Sequence, residues 1–223
     1  MVNCSSSAST SPNARVSRYM RACRPRGPAG TTWKTFLTNH REVLAAMDFF
    51  TVPTVSFRLL YVLLVIHHPR RKILHANVTA HPTAAWVRQQ LREAFPFEDA
   101  PRYLLMDRDS IFAAEVTQTL TAMQVCPLRT SFRSPWQNGL AERWVGSCRR
   151  ELLDHVIVLN EEHLRRLLRD FLDYYHNDRT HLSLGKDPPV GRPVCAASSP
   201  SATVTSLPRI GGLHHRYEWR EAA

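Results

Sequence analysis

Apolar residues along this chain gather first in runs and later at helical intervals. From Val43 to Val52 the sequence reads Val-Leu-Ala-Ala-Met-Asp-Phe-Phe-Thr-Val, and Pro53 ends the run. Such a run predicts a central strand buried on both faces. Phe57 to His67 is a second run; after the polar turn Pro69-Arg70-Arg71-Lys72, Ile73 to Val78 is a third. Their closeness in sequence suits an antiparallel meander. A helix is expected next, with Pro82 near its first turn and Val87, Leu91, Ala94 and Phe95 as apolar positions. Tyr103 to Met106 is a short strand ending on Asp107, and Val116, Leu120 and Met123 follow at helical spacing. Val125 to Leu128 suits a fifth strand, and residues 130–140 have the composition of a loop. A helix is predicted from about 139 to 153, with Ala141, Trp144, Val145, Cys148 and Leu152 on its apolar face. A longer one, about 161–176, places Leu164, Leu167, Leu168, Phe171, Leu172 and Tyr175 at the spacing of one helical stripe. This order predicts an α/β domain, a five-stranded mixed sheet flanked by helices in which a meander is extended by parallel strands.

Composition then sets boundaries. Residues 1–30 are rich in Ser, Pro, Gly and Arg, and Arg15, Arg18, Arg21, Arg24 and Arg26 have no acidic counterpart there. Residues 1–32 are therefore expected to be a disordered basic arm or the remnant of an upstream domain. The folded core is expected over 33–195, with a C-terminal tail at 196–223 after the breakers Pro188-Pro189 and the Ser-rich stretch around Ser199. The net charge of +10 and pI near 10.0 favour an anionic partner, nucleic acid first among them. Five cysteines at Cys4, Cys23, Cys126, Cys148 and Cys195 show neither C-x-x-C nor zinc-finger spacing, which points to free thiols. The pairs His67-His68 and His214-His215 are adjacent, so the two rings of each diverge on a strand and chelate poorly. The longest apolar stretch, Val55 to Ile66, contains Arg58 and is too short to span a bilayer. With no apolar signal segment near the N-terminus, the expected location is the cytoplasm, on the nucleoid.

Against that background three carboxylates stand out. Asp48 interrupts an otherwise buried run, and a buried unpaired carboxylate is costly. Asp107 repeats the situation at the end of Tyr-Leu-Leu-Met, and Glu142 lies in the first turn of a predicted helix after Pro135 and Gly139. Each alone fits an ordinary role, at a strand end or a helix N-terminus. Together they offer the hard oxygen ligands that Mg²⁺ or Mn²⁺ requires. Two such ions can activate an attacking oxygen and stabilise the leaving 3′ oxygen of a phosphodiester.

The surrounding residues sharpen this reading. Met47-Asp-Phe-Phe-Thr-Val52, Leu104-Leu-Met-Asp-Arg-Asp-Ser-Ile-Phe112 and Pro135-Trp-Gln-Asn-Gly-Leu-Ala-Glu-Arg-Trp-Val-Gly-Ser147 resemble the three blocks of the integrase core, the domain of retroviral integrases and many bacterial insertion-sequence (DDE) transposases. Thirty-four residues, 108 to 141, lie between Asp107 and Glu142, close to the spacing for which that family is known. Tyr174-Tyr-His-Asn-Asp-Arg-Thr-His181 is similar to the segment that follows the catalytic helix in bacterial members. The resemblance covers roughly residues 33–195. It implies an RNase H-like fold and a DNA strand transferase with Asp48, Asp107 and Glu142 as catalytic metal ligands for two Mg²⁺ or Mn²⁺ ions. The reaction implied is hydrolysis at transposon ends, then attack of the 3′-OH on target DNA, by a homo-multimer assembled on DNA. Asp109 stands where many members have Gly, which makes it a rival to Asp107 as second ligand. Arg143, Arg149 and Arg150 are expected DNA contacts, since a basic helix face beside the metals would hold phosphates. No helix-turn-helix pattern is found in residues 1–32, so a truncated chain or a separate DNA-binding domain or subunit is expected. The rival functions are an RNase H-like nuclease that only hydrolyses and a catalytically silent, transposase-derived DNA-binding protein.

Overall fold

The computed structural model describes residues 32–221, apart from 97–99, 110, 113, 133 and 198. The expected basic arm therefore lies, but for Thr32, outside the described residues.

A single five-stranded sheet organises the core. In chain order the elements are α1 (Trp33–His40), β1 (Leu44–Pro53), β2 (Leu59–His67), β3 (Ile73–Thr79), α2 (Ala84–Ala94), β4 (Tyr103–Met106), α3 (Ala114–Ala122), β5 (Cys126–Arg129), α4 (Gly139–Glu151) and α5 (Glu161–Asn177). Strand order is β3-β2-β1-β4-β5, with β1, β2 and β3 antiparallel and β4 and β5 parallel to β1. The meander and its parallel extension are thus as the apolar runs predict. Pro82 directly precedes the cap of α2: the Thr83 hydroxyl accepts from the Trp86 N–H, and the helix begins at Ala84. The segment expected as a loop tightens into a 3-10 turn at Pro135–Asn138 before α4.

Alternation along β1 creates two cores. Leu44, Ala46, Phe50 and Val52 face one side, where Trp144 and Cys148 of α4, Leu152 just after it, and Leu164, Leu168, Phe171 and Tyr175 of α5 cover them. Ala45 and Met47 face the other, covered by Val87 and Leu91 of α2 and by Val116 and Leu120 of α3. Burial of both faces explains why the strands read as continuous apolar runs. Each large side chain so enclosed contributes about 1.5–3 kcal/mol. Leu167 and Leu172 of the α5 stripe are only partly buried, at its flanks.

Residues 203–220 form a two-stranded antiparallel ribbon, β6 (Thr203–Arg209) and β7 (His214–Arg220), paired from Thr203 with Arg220 to Arg209 with His214. Asp178, just past α5, clasps it: its carboxylate, 1% exposed, meets Arg209 Nε at 2.7 Å and Arg216 Nη1 at 3.3 Å.

Candidate active site

Strand register brings the two aspartates together. β1 and β4 are parallel, with Leu44 beside Tyr103, Ala45 beside Leu104 and Ala46 beside Leu105. Continued two residues past the last of these pairs, the same register would set Asp48 level with Asp107, which directly follows β4. Residues 44, 46 and 50 on β1 and residues 103 and 105 on β4 face the core under α4 and α5. By the two-residue period of a strand, Asp48 and Asp107 belong to that same face. Helix α4 packs there, its Trp144 ring 6.1 Å from that of Phe50, and carries Glu142 in its first turn.

The electrostatics of Asp48 register this convergence. Its carboxyl is pushed up to about 7, first by burial and then by the negative charge of Asp107, with smaller contributions from Glu142 and Asp109. A hydrogen bond from the Phe49 N–H to Oδ1 (2.8 Å) opposes the rise. The carboxylates are thus within electrostatic reach of one another. They are not gathered into a preassembled cage: among the described residues, no group of three His, Cys, Asp or Glu is placed to hold a metal ion. The donor chemistry nevertheless fits a hard cation, since carboxylate oxygens with no His or Cys between them suit Mg²⁺ or Mn²⁺.

Two residues that have no individual role in the sequence reading, Thr130 and Asn138, fix the surroundings. Thr130, directly after β5, donates its hydroxyl to Asp107 Oδ1 (3.0 Å), and its backbone N–H bonds to the Met106 carbonyl. Arg108 Nε donates to the Thr130 carbonyl (2.7 Å). Asn138 stands at the N-cap position of α4 but does not cap it. Instead its Nδ2 donates to the Met47 carbonyl (3.1 Å), while its own Oδ1 is buried with no hydrogen-bond partner among the described residues. The Gln137 side chain accepts from the Ser131 N–H (2.5 Å), closing the loop between β5 and α4. Their only sequence signal is position: Asn138 falls inside the third block, and Thr130 follows a strand.

Of the three arginines expected on DNA, all are exposed. Arg149 is also engaged structurally, donating from Nη2 to the Thr51 carbonyl (3.1 Å) with its guanidinium carbon 5.8 Å from the centre of the Phe50 ring. Asp109 accepts from the Ile111 N–H (3.0 Å), a local turn bond, yet still contributes to the field at Asp48.

A five-stranded sheet of this order, three strands antiparallel and two parallel with helices on both faces, defines an RNase H-like fold. A family model described as the integrase core domain matches residues 123–189, a span that includes Glu142 but neither Asp48 nor Asp107. Solved structures agree in fold. A chain of the simian T-cell lymphotropic virus intasome, in complex with the PP2A regulatory subunit B56 gamma, is 17% identical with a TM-score of 0.53 over 80% of this chain and 66% of that one. The HTLV-2 integrase catalytic core domain, in complex with magnesium in a trimeric form, is 13% identical with a TM-score of 0.51 over 65% of this chain and 92% of that one. The catalytic domain of the Mos1 mariner transposase is 13% identical with a TM-score of 0.53 over 70% and 79%. The chain thus spans just under two thirds of the viral intasome chain. No curated protein sequence matches it. The fold and the matched segment both agree with the integrase and DDE-transposase resemblance. No helix among the described residues is long and apolar enough to cross a membrane.

Proposed function

We propose that the chain is a DNA strand transferase of the transposase and integrase kind, cutting at element ends and joining the freed 3′-OH to target DNA. One arrangement carries the reading. Asp48 lies on the face of β1 against which α4 packs with Glu142 in its first turn, and Asp107 directly follows β4, the parallel neighbour of β1. The charges of Asp107 and Glu142 thus add to burial in raising the Asp48 carboxyl. A site that holds carboxylates in mutual repulsion is destabilised unless a cation or a proton joins it, and such tension marks functional sites. Asp48, Asp107 and Glu142 would hold one or two Mg²⁺ or Mn²⁺ ions, which activate an attacking oxygen and stabilise the leaving one. Asp109, on the exposed side of Asp107, would tune the field. Thr130 would orient Asp107, and Asn138 would fix the start of α4, and so Glu142, against β1. The Arg143, Arg149 and Arg150 face would bear the DNA backbone.

The magnesium complex and trimeric assembly belong to the HTLV-2 core and the intasome to the simian virus; here a divalent cation and a multimer on DNA are part of the proposal. A second reading, a silent derivative that binds DNA without cutting it, draws on the lack of a preassembled ligand group among the described residues. Incubating a labelled oligonucleotide carrying a free 3′ end with plasmid and Mg²⁺ or Mn²⁺ separates the readings. Joined product supports strand transfer, nicking without joining supports a hydrolytic nuclease, and retention of DNA with neither supports the silent derivative.

A further inference from the structure

A small cavity of about 80 Å³ opens on the flank of α4 away from Glu142, where the β2–β3 turn meets the end of α5. Arg71, Arg143, Trp144, Arg179 and His181 contribute to its wall. Three observations concern its charge and its polar groups. First, the positive charge is not internally matched. Arg179 is neutralised by a two-pronged bond to Glu151 (Nε to Oε2 at 2.6 Å, Nη2 to Oε1 at 2.5 Å). Arg71 and Arg143, by contrast, make no ion pair or side-chain hydrogen bond among the described residues, and each opposes the other's charge. Second, Trp144, which contributes to the wall, is 2% exposed, and its indole N–H, enclosed in the core, has no hydrogen-bond partner among the described residues, so it can report on the cavity's occupant. A donor left so costs roughly 1–3 kcal/mol. Third, Arg71 is held in a left-handed backbone conformation, φ 60°, that a branched-free side chain adopts only at a cost. The Tyr175 hydroxyl, donating to the Arg71 carbonyl (3.2 Å), helps to fix it there.

We infer that this cavity is a phosphate pocket, and that in the DNA-bound protein it takes a backbone phosphate flanking the reacting one. The inference rests on the strand-transferase reading for its DNA, but its chemistry is local. Two guanidiniums on the wall of one cavity, neither paired with an acid among the described residues, are the donors an oxyanion requires. Arg143 follows Glu142 directly on α4, about 100° around the helix, so one strand crossing α4 can meet both faces. The segment Tyr174–His181 thereby gains a role: Tyr175 sets Arg71, and Arg179 with Glu151 braces His181. His181 is 5% exposed, and burial followed by the charges of Arg179 and Arg71 lowers it to about 4, with Glu151 opposing. A bound phosphate offsets those cations and should raise it.

The test has two arms, both on the full chain. In the first, inorganic phosphate is titrated while NMR follows the His181 ring and the Trp144 indole N–H. The expected result is a phosphate-dependent shift of the indole signal and a rise in the His181 pKa, both lost in Arg71→Asn and Arg143→Gln. Asn is chosen because it tolerates the left-handed backbone. In the second arm, duplex affinity is measured across about 50–200 mM salt, where Arg71→Asn should weaken binding by about tenfold and lower the salt slope by about one. If phosphate moves neither signal, the pocket is overturned even when the protein cuts DNA. If phosphate binds but Arg71→Asn leaves the salt slope unchanged, the occupant is a free anion and the DNA assignment is overturned. A native protein with no affinity for DNA overturns the transferase reading itself and the DNA assignment with it.

Discussion

The side chain of Asn138 donates from Nδ2 to the backbone carbonyl of Met47 across 3.1 Å, a bond between residues 91 apart in sequence. It ties the turn before α4 to the strand residue that precedes Asp48, and so sets the separation of Asp48 and Glu142. Replacing Asn138 with Ala removes this buried hydrogen bond, worth about 0.5–1.5 kcal/mol, a loss tempered by removal of the partnerless Oδ1. It also loosens the placement of Glu142, for which a tenfold or greater fall in DNA cleavage is expected, since misplacement of about 1 Å can cost a hundredfold. Urea unfolding and a cleavage assay on the same sample check both; a variant with native cleavage would remove Asn138 from the positioning role.

Thr130 is expected to act on Asp107 alone. Thr130→Val keeps the side-chain volume but removes the 3.0 Å hydroxyl bond to Oδ1. Cleavage should fall about tenfold or more, as when partners of metal ligands are removed, and Thr130→Ser should restore most of it. Equal activity of the Val and Ser variants would assign Thr130 to packing.

The raised carboxyl of Asp48 fixes a pH dependence with a definite sign. In the unfolded chain Asp48 ionises near 3.8, whereas the folded protein keeps the proton until about 7. Between those pH values the folded state binds the extra proton, so this group's contribution to stability falls as pH rises and levels off above about 7. At most about 4 kcal/mol is involved. Asp48→Asn should therefore be more stable than the native protein at pH 8 and no more stable at pH 3.5, and added Mg²⁺ should narrow the gap at pH 8. Denaturation midpoints that track each other across the range would contradict this assignment.

The ribbon at 203–220 is expected to depend on Asp178. Removing a buried carboxylate that pairs two arginines costs about 3–5 kcal/mol in comparable sites. In Asp178→Ala, amide exchange should accelerate throughout Thr203–Arg220 while the β1–β2 amides stay protected. Unchanged protection of the ribbon would mean that its own pairing suffices.

The sequence makes the core legible because the core speaks through periodicity. β1 and β2 are buried on both faces and read as apolar runs, and the α5 stripe at Leu164, Leu168, Phe171 and Tyr175 reads as a helix. Asp48 is visible because a charge in such a run conflicts with its surroundings. The ribbon is not visible: β6 and β7 are exposed or half-buried along their length, Pro208 lies inside β6, and no apolar alternation marks them. Asn138 and Thr130 stay hidden for another reason. Asn138 is marked by its place in the third block, but the role of each lies in a hydrogen bond to a distant residue, 91 positions away for Asn138 and 23 for Thr130, which local pattern does not show. Likewise, Arg71 and Arg143 meet at one cavity only once α4 packs beside the β2–β3 turn.

In the proposed reaction Asp48, Asp107 and Glu142 work as one site. Nicking of supercoiled plasmid in Mg²⁺ or Mn²⁺ tests it most directly, with the native protein compared with Asp48→Asn, Asp107→Asn and Glu142→Gln and with Asp109→Asn as the control. Metal-dependent nicking is expected, abolished by each of the three substitutions and largely spared by Asp109→Asn. Nicking that survives any of the three, or that Asp109→Asn alone removes, would contradict it.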